Sequence, residues 1–208
     1  MRIQKIQKKQ KGQNEEGGKR GQKGFSLIEL IVSMGIIVMI TTMFMANHRT
    51  ANQRTDLVMT AQKMVADVHL AQNNSLGLVK YNDSVPGGGW GLSFDKSRGS
   101  YVMFADLNEP GKSGYMSYDT SSEGNISYGA RVNNISSGIA ISSIKIGTNT
   151  LVNSVNVTFL PPDPKTNIYN PVNGATSTVI EIQLQDKANT ANVKTVRINF
   201  LGLAEVID

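Results

Sequence analysis

Three hydrophobic patterns follow one another along the chain. Phe25 to Ala46 is a run of 22 mostly apolar residues, FSLIELIVSMGIIVMITTMFMA, interrupted near its start by one carboxylate, Glu29. At ~1.5 Å per residue it makes a helix of roughly 33 Å, enough to cross a hydrocarbon core of ~30 Å. From His48 to Val79 the run thins to a stripe. Leu57, Val58, Ala61, Met64, Val65, Val68, Ala71, Ser75 and Val79 recur at helical spacings, with Asp56, Lys63, Asp67 and Gln72 at other positions. No proline or glycine falls there before Gly77, so the two patterns predict one helix from about Phe25 to about Val79, its outer half packed by one face on a globular head.

After Tyr81 the composition shifts to Gly, Ser, Asn and Thr with short alternating apolar segments. Candidate strands are Trp90 to Phe94, Tyr101 to Phe104, Ile139 to Ile146, Ser154 to Leu160, Thr178 to Leu184, Val193 to Phe200 and Leu203 to Ile207. Turn signals such as Pro86-Gly87-Gly88-Gly89, Glu109-Pro110-Gly111, Pro161-Pro162-Asp163-Pro164 and Asn173-Gly174 separate them. Ile180, Ile182 and Leu184 oppose Val179, Glu181, Gln183 and Gln185, while Lys194, Val196, Ile198 and Phe200 oppose Val193, Thr195, Arg197 and Asn199. Each of these strands is expected to have one wet and one packed face. The predicted fold is α+β: a long N-terminal helix against one antiparallel sheet. The chain divides into a basic leader (1–24), a membrane or assembly helix (25–46), its amphipathic continuation (47–80) and a β-rich head (81–208).

Charge changes the picture at one end only. Residues 1–24 hold eight Lys/Arg against Glu15 and Glu16, a net of +6, whereas residues 25–208 hold 13 basic and 14 acidic side chains. The high pI of about 9.4 therefore describes a short arm, not a nucleic-acid-binding surface. Basic residues before the first apolar span keep that flank cytoplasmic, which predicts an extracytoplasmic head. A carboxylate one turn inside a membrane helix costs on the order of 2.5 to 3.5 kcal/mol, so Glu29 calls for a partner charge. An ordinary secretory signal fits poorly, because the run is longer than a 7- to 15-residue signal core and no small-x-small site follows Ala46. A plain signal anchor explains the span and the charge bias, but not the Gly24-Phe25 junction or the position of the acid.

The string Lys23-Gly24-Phe25-Ser26-Leu27-Ile28-Glu29-Leu30 resembles the processing site of type IV prepilins and type II secretion pseudopilins. The resemblance implies a type IV pilin-like fold. It also implies cleavage between Gly24 and Phe25 by a membrane prepilin peptidase, N-methylation of Phe25, and a role for Glu29 in assembly. The new α-ammonium on Phe25 would pair with Glu29 of a neighbouring subunit in low dielectric. Further partners implied are other pilin or pseudopilin subunits and an inner-membrane assembly platform, with the protein moving from the inner membrane into a fibre. Many type IV pilins carry a proline near the end of the membrane half. None occurs between Phe25 and Val85, so any loosening would rely on Gly35, Thr41, Thr42 and Asn47. The Leu57 to Leu78 spacing, Trp90-Gly91, the segment from Tyr101 to Asn108 and the segment from Val196 to Leu203 resemble the minor pseudopilin H and FimT group.

Little in the head suggests chemistry. Asp106 and Asn108 stand at i, i+2 as in calcium loops, with Asp119 and Glu123 downstream. Pro110 takes the place of a third ligand, however, and Ser117 that of a twelfth-position carboxylate, so a solvated turn is expected over a calcium site. Gly111-Lys112-Ser113 lacks the earlier glycine of a phosphate loop, Asp106 standing there, and Gly87-Gly88-Gly89-Trp90-Gly91 precedes a strand where a dinucleotide fingerprint needs a helix. Of the two histidines, His48 falls at the membrane edge and His69 on the polar side of the helix, and there is no cysteine. Neither an enzyme nor a resident cofactor is expected.

Two functions follow from different classes. The first is a structural, minor subunit of a type IV pilus or type II secretion pseudopilus. The second is a FimT-like minor pilin that holds DNA during uptake, for which Lys187, Lys194 and Arg197 are the candidate phosphate contacts. DNA-binding members resemble one another in an arginine-bearing tail. The tail here, Gly202 to Asp208, carries two acids and no base, so DNA is not an expected partner.

Overall fold

The computed structural model describes residues 24–118, 127–148, 150–161 and 165–208, with side chains at all of these except 46–51 and 127–130. Its helix, α1, spans Leu27–Leu76. The chain divides into two units, Met1–Met45 and Ala46–Asp208.

In the first unit, the described side chains from Gly24 to Met45 are all exposed. The stretch Leu27–Met45 is long and apolar enough to cross a membrane. Its polar side chains spend their hydroxyls on the helix itself: Ser33 donates to the Glu29 carbonyl at 2.8 Å, Thr41 to Ile37 at 2.7 Å and Thr42 to Met39 at 2.9 Å. Hydroxyls satisfied in this way add little cost in lipid.

In the second unit the predicted stripe is the buried face of α1. Leu57, Ala61, Met64, Val68 and Ala71 join one hydrophobic core with both sheets of the head. The helix stops three residues earlier than its periodicity suggested. The Val79 amide bonds the Asn74 carbonyl, the Leu78 amide bonds that of Ser75, and Leu78 takes a φ of 49°. This is a Schellman stop with a leucine in the left-handed position usually given to glycine.

The head holds two antiparallel sheets, where the alternation suggested one. The strands are β1 (Gly89–Asp95), β2 (Ser100–Asp106), β3 (Ser127–Asn134), β4 (Ile139–Ile146), β5 (Thr150–Val152), β6 (Ser154–Leu160), β7 (Lys165–Tyr169), β8 (Thr176–Ser177), β9 (Val179–Asp186), β10 (Val193–Asn199) and β11 (Ala204–Ile207). One sheet runs β3-β2-β1-β6-β7-β8 and the other β11-β10-β9-β4-β5. Strand β9 alternates as expected, with Ile180, Ile182 and Leu184 fully buried. On β10, Val196 and Ile198 are buried but Phe200 is 54% exposed. The ladder ends at Asn199, whose Oδ1 accepts the amides of Leu201 and Leu203, so Phe200 belongs to a turn that parity does not govern. That turn is pinned to the helix: Gln72 Nε2 donates to the Gly202 carbonyl, and a Cβ at Gly202 (φ 80°) would lie 2.2 Å from the same nitrogen.

Candidate functional site

The candidate assembly site begins at the N-terminus of α1. Ser26 sits just before the first helical residue and its Oγ accepts the Glu29 amide at 3.2 Å, while its carbonyl accepts the Leu30 amide. Ser26 is thus an N-cap with Glu29 at the third helical position, the S-x-x-E pattern of a helix start. The local string Ser26-Leu27-Ile28-Glu29 carries this signal in the sequence. The cap gives Glu29 a favourable place at the positive end of the helix dipole. Its carboxylate nevertheless has no hydrogen bond or ion pair among the described residues and is exposed in the isolated chain. Phe25 is 83% exposed, and nothing lies within 4 Å of the position a Cβ would take on Gly24. Among the described residues nothing covers the junction.

Asp67 is a second functional group, and the expectation that it lies off the packed face is corrected. It is 4% exposed. Arg131 on β3 donates to its Oδ1 at 2.9 Å and the Tyr101 hydroxyl on β2 donates to its Oδ2 at 2.6 Å, while Arg131 Nε reaches Asn133 Oδ1 at 2.6 Å. Burial, and then the adjacent carboxylate, push the Tyr101 hydroxyl well above the usual tyrosine range, keeping it a donor. Two turns further along α1, Ser75 Oγ accepts the Trp90 amide at 2.9 Å and donates to the Phe159 carbonyl. Trp90 and Phe159 are cross-strand partners on β1 and β6, so this hydroxyl bridges two strands. The Trp90 indole donates to the Val79 carbonyl at 2.9 Å. These bonds fix α1 to the first sheet.

Asp106 and Asn108 do not form a solvated turn, since they are 0% and 4% exposed. The Asp106 carboxylate gathers the loop that follows it, accepting the Asn108 amide at 2.9 Å on Oδ1 and the Met116 amide at 2.5 Å on Oδ2. A Cβ at Gly88 would lie 2.1 Å from that Oδ2, which is why the glycine run stands opposite. Asp119 and Glu123 lie outside the described residues, as does the His48 side chain. Among the described residues no three His, Cys, Asp or Glu side chains gather as a metal site would need. His69 is exposed and bonds Gln72.

Burial pushes the Asp106 carboxyl up to about 6, against the opposing pull of its amide donors. A carboxyl raised in the folded state contributes stability that is complete below about pH 4 and lost as pH rises through about 6. Wild type should therefore gain up to about 3 kcal/mol relative to Asp106→Asn between about pH 7 and pH 4. Paired thermal melts across that window check this, and a constant difference between the two proteins would contradict it.

The DNA candidates are separated and engaged. Lys187 Nζ donates to the Ser137 carbonyl at 2.8 Å, Lys194 pairs with Asp208, and Arg197 lies 3.8 Å from Glu181. Lys194 and Arg197 also point to opposite faces of β10.

An exposed apolar helix that begins with a capped acid, ahead of an antiparallel β head, defines a pilin-like α+β arrangement. Residues 19–45 match the family model described as Prokaryotic N-terminal methylation motif. This prepilin-type motif supports a type IV pilin-like protein made as a prepilin, and with the apolar helix it fits a membrane-anchored pilin. It implies processing by a prepilin peptidase and assembly with other pilin subunits. The match covers the junction and the apolar segment, not the head. Comparison with curated proteins gives no match, nor does comparison with solved structures.

Proposed function

We propose that this chain is a structural, minor subunit of a type IV pilus or type II secretion pseudopilus, cut after Gly24, N-methylated at Phe25 and assembled through its N-terminal helix. The observation that carries this reading is Glu29: the one carboxylate of the apolar run, four residues past an open Gly-Phe junction, without a partner among the described residues. In a low dielectric an unpaired acid is costly, and the amine released at Phe25 of an adjacent subunit is the complementary charge. The apolar helix is acceptable either in lipid or among like helices, so transfer from membrane to fibre does not expose it to water. In this arrangement the basic leader stays cytoplasmic and the head is extracytoplasmic. The DNA-uptake reading has less support, because its three cations form no common stripe.

The test is N-terminal sequencing and intact mass of protein recovered from membranes. A mature chain beginning at methylated Phe25 is the expected result, and a start at any other residue overturns the proposal. Gly24→Ala should leave most of the protein at its uncut mass, since the peptidase must approach the chain closely at this residue. An unchanged mature mass would count against Gly24 as the cleavage site.

A further inference from the structure

The two sheets of the head differ in the face they turn away from the core. On the first sheet that face is itself buried, at Phe104, Asn156 and Thr158. The loop after β2 covers it: Asn156 Nδ2 donates to Ser117 Oγ at 3.0 Å, and the Phe104 and Tyr118 rings lie 5.3 Å apart. On the second sheet Ile144, Ile180, Ile182, Val196 and Ile198 are buried, while Lys145, Glu181, Arg197 and Glu205 alternate with the inward positions and are half-buried or exposed. Among the described residues nothing lies over them as the loop lies over Phe104. We propose that this bare face binds its own counterpart on a second copy of the chain, about a two-fold axis running parallel to the strands between β9 and β10.

The charges specify both the occupant and the axis. Lys145 stands opposite Glu181, Glu181 opposite Arg197, and Arg197 opposite Glu205, so one row crosses β4, β9, β10 and β11 with the signs +, −, +, −. Pairing between neighbouring strands accounts for the alternation within one chain, as in the Arg197 to Glu181 approach of 3.8 Å. It does not require the row to end on opposite signs. Because this row does, it is complementary to its own reverse. A two-fold axis along the strands reverses it, setting Lys145 of each copy against Glu205 of the other and Glu181 against Arg197. An axis across the strands would set each charge against its like.

Apolar groups at the end of the same face fit the same axis. Val179 stands opposite Asn199, whose amide bonds the Leu203 carbonyl, and Phe200 and Leu203 are 54% and 56% exposed. Together with Arg197 and Glu205 they line an open cleft of about 380 Å³. Reversal of the row carries the β11 end of one copy over the β4 end of the other. There Gly147 bonds the Val179 carbonyl and presents no side chain. Phe200 and Leu203 of each copy therefore meet bare backbone and Val179, and their removal from water drives the contact.

The size of the face sets the strength. Four strands at about 4.8 Å, taken over the seven residues of β10 at about 3.3 Å each, give roughly 440 Å² per copy, in the range of weak, transient interfaces. A two-fold contact also closes on itself, whereas a fibre needs a head-to-tail contact that repeats. The pair is thus separate from fibre assembly and does not rest on the pilin reading.

The chain has no cysteine, so single introduced thiols can map the pair in the full chain in detergent, with a short bis-maleimide as the crosslinker. Thr195→Cys lies beside the axis on the outer face and should crosslink to its own copy. Leu151→Cys, on the outlying β5, should not, since the axis holds the two copies of β5 roughly five strand spacings, or about 24 Å, apart. In the Thr195→Cys background, Lys145→Glu or Glu205→Lys alone sets like charges face to face twice per pair and should lower the crosslinked fraction by roughly tenfold or more. Lys145→Glu combined with Glu205→Lys restores opposite charges across the axis and should recover it. Each of these changes worsens the row within its own chain, so a merely intrachain role would make the losses add. Absence of the Thr195→Cys crosslink, equal crosslinking at Leu151→Cys, or a combined variant no better than the single ones overturns the proposal. Dimers held through the apolar helix alone would give the first of these results.

Discussion

Replacing Glu29 by valine leaves the protein in the membrane and keeps it out of the fibre. Insertion improves, because the substitution removes a group that costs on the order of 2.5 to 3.5 kcal/mol in a membrane helix. The helix start survives as well, since Ser26 Oγ caps the backbone amide of residue 29 and not its side chain. On the proposed function, what is lost is the partner of the neighbouring Phe25 amine. Breaking one member of a buried charge pair costs about 3–5 kcal/mol, which corresponds to a fall in incorporation of roughly 10²- to 4 × 10³-fold. Glu29→Gln keeps an acceptor without the charge and should fall between the two. The measurement is the amount of subunit in sheared fibres relative to the membrane fraction. Fibre levels equal to wild type in the valine variant would remove the pairing role altogether.

What could be read from the chain alone depended on where each residue's partner lies. The boundaries of β4 and β6 came directly from apolar alternation flanked by turn residues, because both strands sit inside sheets and bury their apolar positions. Strands β3 (SYGARVNN), β7 (KTNIY) and β8 (TS) escaped notice. They end or flank the first sheet, and an edge position tolerates polar and glycine-rich sequence. The short β5 is likewise the edge of the second sheet, its Leu151 68% exposed. Splitting into two sheets was hidden because pairing order is a long-range property: β1 pairs with β6 some 65 residues away, and nothing local announces it. The N-terminal methylation motif of residues 19–45 was legible because it is a contiguous string.

The polar residues were misplaced for a related reason. Asp67 stands three residues after Met64 and four before Ala71, so spacing alone puts it on the packed face. Its charge argued for water, and the group that reverses that argument, Arg131, is 64 residues distant. The same reasoning expects a wet turn at Asp106, whose amide donors come from a loop that closes over it. Ser75 passed as a small stripe residue when its hydroxyl in fact bridges β1 and β6.

Asp67→Ala is accordingly expected to be among the most destabilising single changes in the head. It leaves the Tyr101 hydroxyl without its acceptor in a site where Tyr101 is 2% exposed, and an unpaired buried hydroxyl costs about 1–3 kcal/mol. It also removes the carboxylate from Arg131, whose side chain is 47% exposed and can turn to water, so this part of the loss is smaller than for a fully buried pair. Together these give a loss of about 3 kcal/mol, or a fall in Tm of roughly 10 °C for a chain of this size. Tyr101→Phe alone should cost about 1 kcal/mol. Adding it to Asp67→Ala should recover part of the loss, because the orphaned hydroxyl is then gone, and this non-additivity is what a plain cavity at position 67 would not produce. Thermal melts of the three variants against wild type decide the matter: an Asp67→Ala protein within about 1 kcal/mol of wild type, or strictly additive losses, would mean that the contact between α1, β2 and β3 is held by the apolar stripe alone.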